Sequence, residues 1–548
     1  MEMKYIYMKI RALAIVFIML LAFNSCNSWL DEVKPGDVLL TESYLKTVND
    51  LDWLLTGAYS ALLGEEGKGI ASASFFIAEL QSDYVVAVED NKTAIPKDLI
   101  DIYQRNSKRF VEGSPVYSLI KYSSQAMNNA NLVIEAIENG SLNNNPDYES
   151  LSARIQGEAY FIRAMANFEQ TRLLGKPYNT SSSSSDLAGL YPLKPILNQE
   201  DIPTERITVD EAYKRMIADL SLAINLLPES YDASSRDVIY STRRANKDAA
   251  RALLAQVYFN KHDFSNCITI INDLLGNTKG NSPKYPLDDI SRIKTILFEL
   301  ADGASYKPNI NDPLETSELI FDFYGASAYD GPNINTQNII GKHFGASSRQ
   351  FALGKKFLEL AKFGARKSVT NVDIDDQRLN NLLEHKVSII GIDTTHYYYS
   401  LKHIKAGSNI IWYRSAEFLL MRAECYARNG STTEAKGDLD AVRLRSGLPS
   451  FGIDSYDWVD VNNDGTINFM IDKVMPIVEA IIMERTRELF LEKYRLWELL
   501  RLGALGEPTY NKISNGSRVS EDIMAADING ILWNDELWQC PYIAISND

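Results

Sequence analysis

Two stretches of this chain repeat one spacing, and that spacing restricts the fold more than anything else in it. In DAARALLAQVYFNKHDFSNCITIINDLL (248–275), Ala255 and Tyr258 lie three apart, and Cys267 and Ile271 follow Ala255 by twelve and sixteen. In AEFLLMRAECYARNGSTTEAKGDLDAVRLRSG (416–447), the same offsets select Ala423, Tyr426, Ala435 and Leu439, with Gly430 in the turn. Small residues let two helices approach and an aromatic fills the gap beside them, which is the tetratricopeptide pattern of paired helices. The competing explanation is two unrelated helical hairpins with chance spacing. Two matches in one register favour repeat-type pairs. They lie far apart in sequence, so 280–405 is expected to be an excursion from a helical scaffold.

Apolar periodicity predicts helices over about 43–63, 117–139, 150–174, 208–227, 244–260, 264–275, 412–429, 432–446 and 476–502. Long polar stretches, 64–116, 175–207, 277–350 and 366–410, separate them. The strand-like pieces ELIFDFYG (318–325) and HYYYSLKHI (396–404) stand alone, which argues against a large sheet. The last helix enters at Pro476 and stops at Gly503. Along it Glu484, Glu488 and Glu492 alternate with Arg485, Arg487 and Arg495, which reads as a solvated, structural face. Carboxylates so close to arginines are poor general acids. Trp53, Trp412, Trp497 and Trp538 fall in helical or terminal segments and read as core.

The first residues describe an export signal: Lys4, Lys9 and Arg11, an apolar run from Ala12 to Phe23, then Cys26. That run is about a dozen residues, against roughly 20 for a bilayer-spanning helix. Cys26 stands where a bacterial lipoprotein is cleaved and acylated; plain secretion is the alternative. Cys267, Cys425 and Cys540 are an odd set at wide spacing and give no disulfide framework. The net charge of −16 speaks against nucleic acid as a partner.

Several segments together resemble the SusD/RagB family of outer-membrane lipoproteins from Bacteroidetes. After the cysteine comes SWLDEVKPGD (28–37), then IQGEAYFIRAMANFEQTRLLGKPY (155–178), AARALLAQVYF (249–259) and IIWYRSAEFLLMRAECYARNG (410–430). LDAVRLRSGL (439–448), MERTRELFLEKYRLWELLRLG (483–503) and LWQCPY (537–542) complete the family order. Gln539 and Cys540 depart from the family's terminal motif, and 450–476 is longer than usual. The resemblance implies a signal peptide over 1–25 and a single domain over 26–548. It implies an all-α scaffold of about four tetratricopeptide-like helix pairs, with a loop-rich ligand side. The scaffold would come from about 40–63, 117–275 and 410–503, and the loops from 64–116, 277–405 and 450–475. It further implies a lipid anchor on the outer face of the outer membrane and a SusC-like TonB-dependent transporter as partner. The ligand would be a glycan, or a peptide, bound without catalysis.

The residues agree on catalysis. GxSxG, HExxH, Walker and GxGxxG motifs do not occur, and His262, His343, His385, His396 and His403 lack metal-ligand spacing. A glycoside hydrolase and a scaffold gripping protein partners are the rival readings. For a glycan, exposed aromatics beside amide, acid and guanidinium groups are wanted. Asp83, Tyr84, Tyr103 and Arg105 supply them in 83–110, and Tyr285, Tyr306, Tyr329 and Asn333 in 280–340. No organic cofactor is expected. The stretch DVNNDGTIN (460–468) spaces Asp460, Asn462 and Asp464 like a calcium loop, with the Thr466 carbonyl next. Ile471 replaces the closing acid, leaving Asp472 or water to complete a structural calcium shell; a metal-free turn is the alternative.

Overall fold

The computed structural model describes residues 45–64, 68–104, 112–140, 142–231, 244–280, 282–298, 318–323, 339–345, 349–361, 365–367, 373–374, 376–390, 393–403, 409–452, 456–460, 469–472 and 476–505. The first helix, α1 (Val48–Leu63), is started by Thr47, whose hydroxyl accepts from the Asp50 amide while the Asp50 carboxylate reaches back. Its buried stripe is Val48, Leu51, Leu55, Ala58 and Leu62. Trp53 is off that stripe and 73% exposed, which corrects its reading as core. A second helix, α2 (Ile70–Leu80), lies within a stretch read as polar loop, and all eleven of its residues are buried. At the bend between them Gly64 has φ +70, and a Cβ there would meet the Gly69 backbone at 2.2 Å.

Beyond the short α3 (Lys97–Tyr103), α4 (Pro115–Glu138) begins with a Ser114 cap and a proline in its first turn. It packs on α5 (Tyr148–Leu174), which in turn packs on α6 (Val209–Leu226). The α5–α6 approach needs Gly157, because a Cβ there would come within 3.0 Å of Leu226 and Leu227. Inside this layer Arg163 grips Asp219 through Nε and Nη2 at 2.8 and 2.6 Å. The two repeated stretches form helix pairs: α7 (Lys247–Asn260) with α8 (Phe264–Leu275), and, further along the chain, Ser415–Arg428 with Thr432–Arg445. Ala255, Cys267, Ile271, Ala423, Ala435 and Leu439 are all fully buried. Cys267 and Cys425 are free thiols inside this packing.

Strands are short. β1 (Val85–Ala87), β3 (Phe351–Leu353), β7 (Asp393–Ser400) and β6 (Leu383–Ile390) form one antiparallel sheet in that order. A second has the order β10 (Phe469–Asp472), β9 (Tyr456–Asp460), β4 (Ala365–Lys367), β5 (Asp373–Ile374). β2 (Leu319–Phe323) pairs with β8 (Ile410–Arg414). After a short helical stretch, Ile290–Ile293 running into Lys294–Phe298, come α9 (Ile339–Phe344), α10 (Lys355–Ala361), α11 (Gln377–Leu382), α12 (Ser415–Arg428), α13 (Thr432–Arg445), α14 (Ile477–Leu489) and α15 (Arg495–Ala504).

The helix expected over 476–502 is thus two helices. Between them Leu491 and Lys493 are left-handed, at φ 54 and 60, a conformation that costs a non-glycine residue about 1–2 kcal/mol. Neighbours from elsewhere hold the turn. The Leu491 amide donates to the Tyr84 hydroxyl and its carbonyl meets His403 Nε2 at 2.8 Å. The Tyr494 amide donates to Glu79 at 3.0 Å, and Lys493 Nζ donates to the Trp412 carbonyl at 2.7 Å.

The charged face of that segment is not solvated. Glu484, Arg485, Arg487, Glu488 and Arg495 are all under 5% exposed. Glu488 meets Arg378, Arg414 and Arg445 at 3.0, 2.7 and 2.5 Å. Glu484 meets Arg378 and Arg487, and Glu492 meets Lys402 and Arg414. The charges are buried because α11, β8, α13 and the end of β7 each bring a cation to α14 from a distant part of the chain.

Candidate functional site

Three helix starts and one short helix surround a cleft of about 250 Å³. Ser72, Ala73 and Phe76 come from α2, Pro96, Asp98 and Leu99 from the start of α3, Pro115 and Ser118 from α4, and Lys342 and His343 from α9. Lys68 and Gly113 complete the described lining. α2 and α4 pack against each other, and α9 packs on α2, so one helix positions the other walls. Of the described lining, Pro96, Asp98 and Leu99 fall within 83–110, where the sequence places ligand contacts, and the other residues lie outside both 83–110 and 280–340.

Its floor is apolar. Phe76 is 1% exposed and meets the His343 ring edge-on, with centroids 5.6 Å apart. The His343 tautomer follows from its neighbours. Gln350 donates its amide to the Ala94 carbonyl at 2.8 Å, which turns its oxygen toward His343 Nδ1, 2.5 Å away. Nδ1 therefore carries the proton and Nε2 keeps a lone pair. Burial holds this imidazole below its ordinary pKa, despite the bond to Gln350, so it stays neutral at pH 7. The rim is polar: Lys68 and Lys342 are exposed and Asp98 is half-buried. Such a cleft offers an apolar wall to C–H faces and donors and acceptors to hydroxyls. The described lining holds one carboxylate, Asp98.

The residues singled out from sequence are dispersed. Asp83 and Tyr84 are corrected: they are not a ligand rim. Asp83 is bound by Arg495 Nε and Nη2 at 2.7 and 2.8 Å, and Tyr84, 1% exposed, donates to Glu79 at 2.7 Å. The Asp–Tyr pair follows a buried helix and lies beneath the 491–494 turn, so its polar atoms serve the core. Tyr103 is half-buried with its ring 5.9 Å from Phe351. Tyr285 donates to Asp248 at 2.8 Å and is half-buried; burial, then the Asp248 charge, pushes its hydroxyl pKa up. Arg105, Tyr306, Tyr329 and Asn333 lie outside the described residues, as does Trp538.

The calcium-like stretch begins at Asp460, the last residue of β9. Asn462, Asp464 and Thr466 lie outside the described residues. Asp460 ends β9 and pairs with Ala365, while Asp472 pairs with Tyr456. Four strand residues separate those two backbone levels, about 13 Å at roughly 3.3 Å per residue.

Sequence reasoning missed Phe76, Asp98, Lys342 and His343. The run IASASFFIAEL is small or apolar except for Glu79, so it shows no helical period, and nothing local ties it to residues 342–343.

Comparison with known proteins bears on all of this. A family described as starch-binding and associating with the outer membrane matches residues 29–259, and the SusD family matches residues 323–529. SusD-like protein P38 of Formosa agariphila is 24% identical over 529 residues, covering 90% of this chain and 92% of the relative. A SusD superfamily protein of Bacteroides thetaiotaomicron superposes with a TM-score of 0.63 at 18% identity, covering 88% of this chain and 98% of its own. A laminarin-binding SusD-like protein gives 0.58 at 19% identity, covering 85% and 94%. Fold, segment order and both family matches agree: the chain belongs to the SusD/RagB family.

Proposed function

We propose that this protein captures oligosaccharides at the cell surface without catalysis and passes them to a SusC-like TonB-dependent transporter. The observation that carries the reading is the pair of family matches, one described as starch-binding and associating with the outer membrane. The laminarin-binding SusD-like protein, which shares the fold, supports a glycan as ligand. The Cys26 signal supports a lipid anchor in the outer membrane, with the protein facing outward. No helix among the described residues is long and apolar enough to cross a membrane.

The cleft over Phe76 is the proposed sugar site, with Asp98, Lys342 and the Nε2 lone pair of His343 as its polar contacts. Arg105, Tyr306, Tyr329 and Asn333 are proposed to extend it, and a calcium ion held by the stretch 460–466 is proposed as a brace. A glycan array followed by calorimetry on the purified chain tests the site. Asp98→Ala and Lys342→Ala should each weaken the best oligosaccharide about five- to tenfold with an unchanged melting temperature. Unaltered affinity in both variants would remove the cleft from the reading, and silence across the array would remove the glycan.

A further inference from the structure

The β6–β7 hairpin carries two of the five histidines on one face. Its register sets His385 opposite Tyr398 and Val387 opposite His396, so the two imidazoles are diagonal neighbours on one side of the pleat. The other side is occupied by Tyr397 and Tyr399, which are buried. His385 Nε2 and His396 Nδ1 stand 2.9 Å apart, with ring planes within 8°. Tyr398 stacks on His385, centroids 4.6 Å apart and planes within 11°. The pair is therefore held by strand register and by an aromatic backing. It also faces solvent: His385 is exposed and His396 half-buried. On the same face Val387 and Ile389, 49% and 71% exposed, bring no charge. Lys386 alternates to the opposite side, where it pairs with Glu384 at 3.3 Å.

We propose that His385 and His396 chelate a divalent transition-metal ion of the copper or nickel class. A metal–imidazole bond is about 2.0–2.1 Å. Two such bonds at a right angle place their nitrogens about 2.9 Å apart, whereas a tetrahedral angle spreads them to about 3.3 Å. The present 2.9 Å is the length of a hydrogen bond, in which the two nitrogens point at each other; an entering ion is held once both rings turn toward it, and for a nitrogen pair of this kind affinity in the divalent series peaks at Cu(II). A ligating nitrogen carries no proton, so the ring that donates the present hydrogen bond must take its other tautomer as the ion enters. No net charge is lost in that exchange. The remaining positions are open to oxygen ligands from solvent. His343 and His403 are buried and do not compete.

The tag-free chain is titrated with copper(II) chloride and with nickel(II) chloride by calorimetry, and the copper complex is read by electron paramagnetic resonance. One site is expected, with hyperfine splitting from two nitrogens. His385→Asn and His396→Asn should each weaken it at least tenfold, while Tyr398→Phe leaves it within twofold. Circular dichroism of each variant reports whether the hairpin is kept. Equal metal binding by the wild type and by the His385→Asn, His396→Asn double variant would overturn the proposal, as would no saturable site at all. The pair would then be a cross-strand hydrogen bond and nothing more.

Discussion

Glu488 sits where Arg378, Arg414 and Arg445 converge, and all four side chains are nearly without solvent. Burial alone would raise its carboxyl, but the charges of Arg445, Arg414 and Arg378 hold it well below the usual range. Removing the charge leaves three guanidinium groups facing a neutral amide in a dry interior. Breaking such a pair from one side costs about 3–5 kcal/mol, and Glu488→Gln should lose that much in urea unfolding at pH 7. The sequence shows Glu484, Glu488 and Glu492 at every fourth position, and that spacing alone means a wet face. What it does not show is that the cations come from residues 378, 402, 414, 443 and 445. Trp53 fails in the opposite sense. A large apolar side chain within a helix suggests core, yet two positions from Leu51 it points away from the buried stripe.

At the scale of elements, helices with caps and a 3.6-residue period were readable to within about three residues, as α4, α6 and α8 show. α2 was not, because a helix buried all round has no polar side to reveal its period. The break after Leu489 was not readable either. Neither Leu491 nor Lys493 is a residue that asks for a left-handed turn, and the groups that impose it belong to residues 79, 84, 403 and 412. The Tyr84 hydroxyl joins Glu79 to the Leu491 amide, so Tyr84→Phe orphans a donor in the turn and a buried acceptor. That should cost about 1–3 kcal/mol, with hydrogen exchange of the 490–494 amides rising by a similar energy. The cleft was not legible, since residues 72, 98, 115 and 343, distant in sequence, line it together.

For the whole molecule, acid is the more damaging direction. Burial opposes the Glu424 charge, but Arg501 and Arg428 outweigh it and bring its pKa down to about 2 from 4.5. The unfolded chain takes up that proton first, so the stability it contributes is complete above about 4.5 and disappears as pH falls toward 2. Glu79 has the reverse sign: burial raises it to about 7, so the folded state favours the protonated form and its contribution is lost as pH rises through 7. Lys402, lowered by burial to about 8, adds stability as pH climbs from 8 toward 10.5. Urea midpoints at pH 3, 6 and 8 should place pH 3 lowest. Replacing Glu79 by Gln should flatten the change between pH 6 and 8.

The ties between residues 79–84 and 491–495 also set an order of events during synthesis. Glu79 and Asp83 emerge from the ribosome more than 400 residues before Tyr494 and Arg495, their partners. Until then a carboxylate destined for the interior has nothing to meet there, and the first layer of helices stays incomplete. The same delay makes any product cut short before residue 495 unable to seal its own beginning.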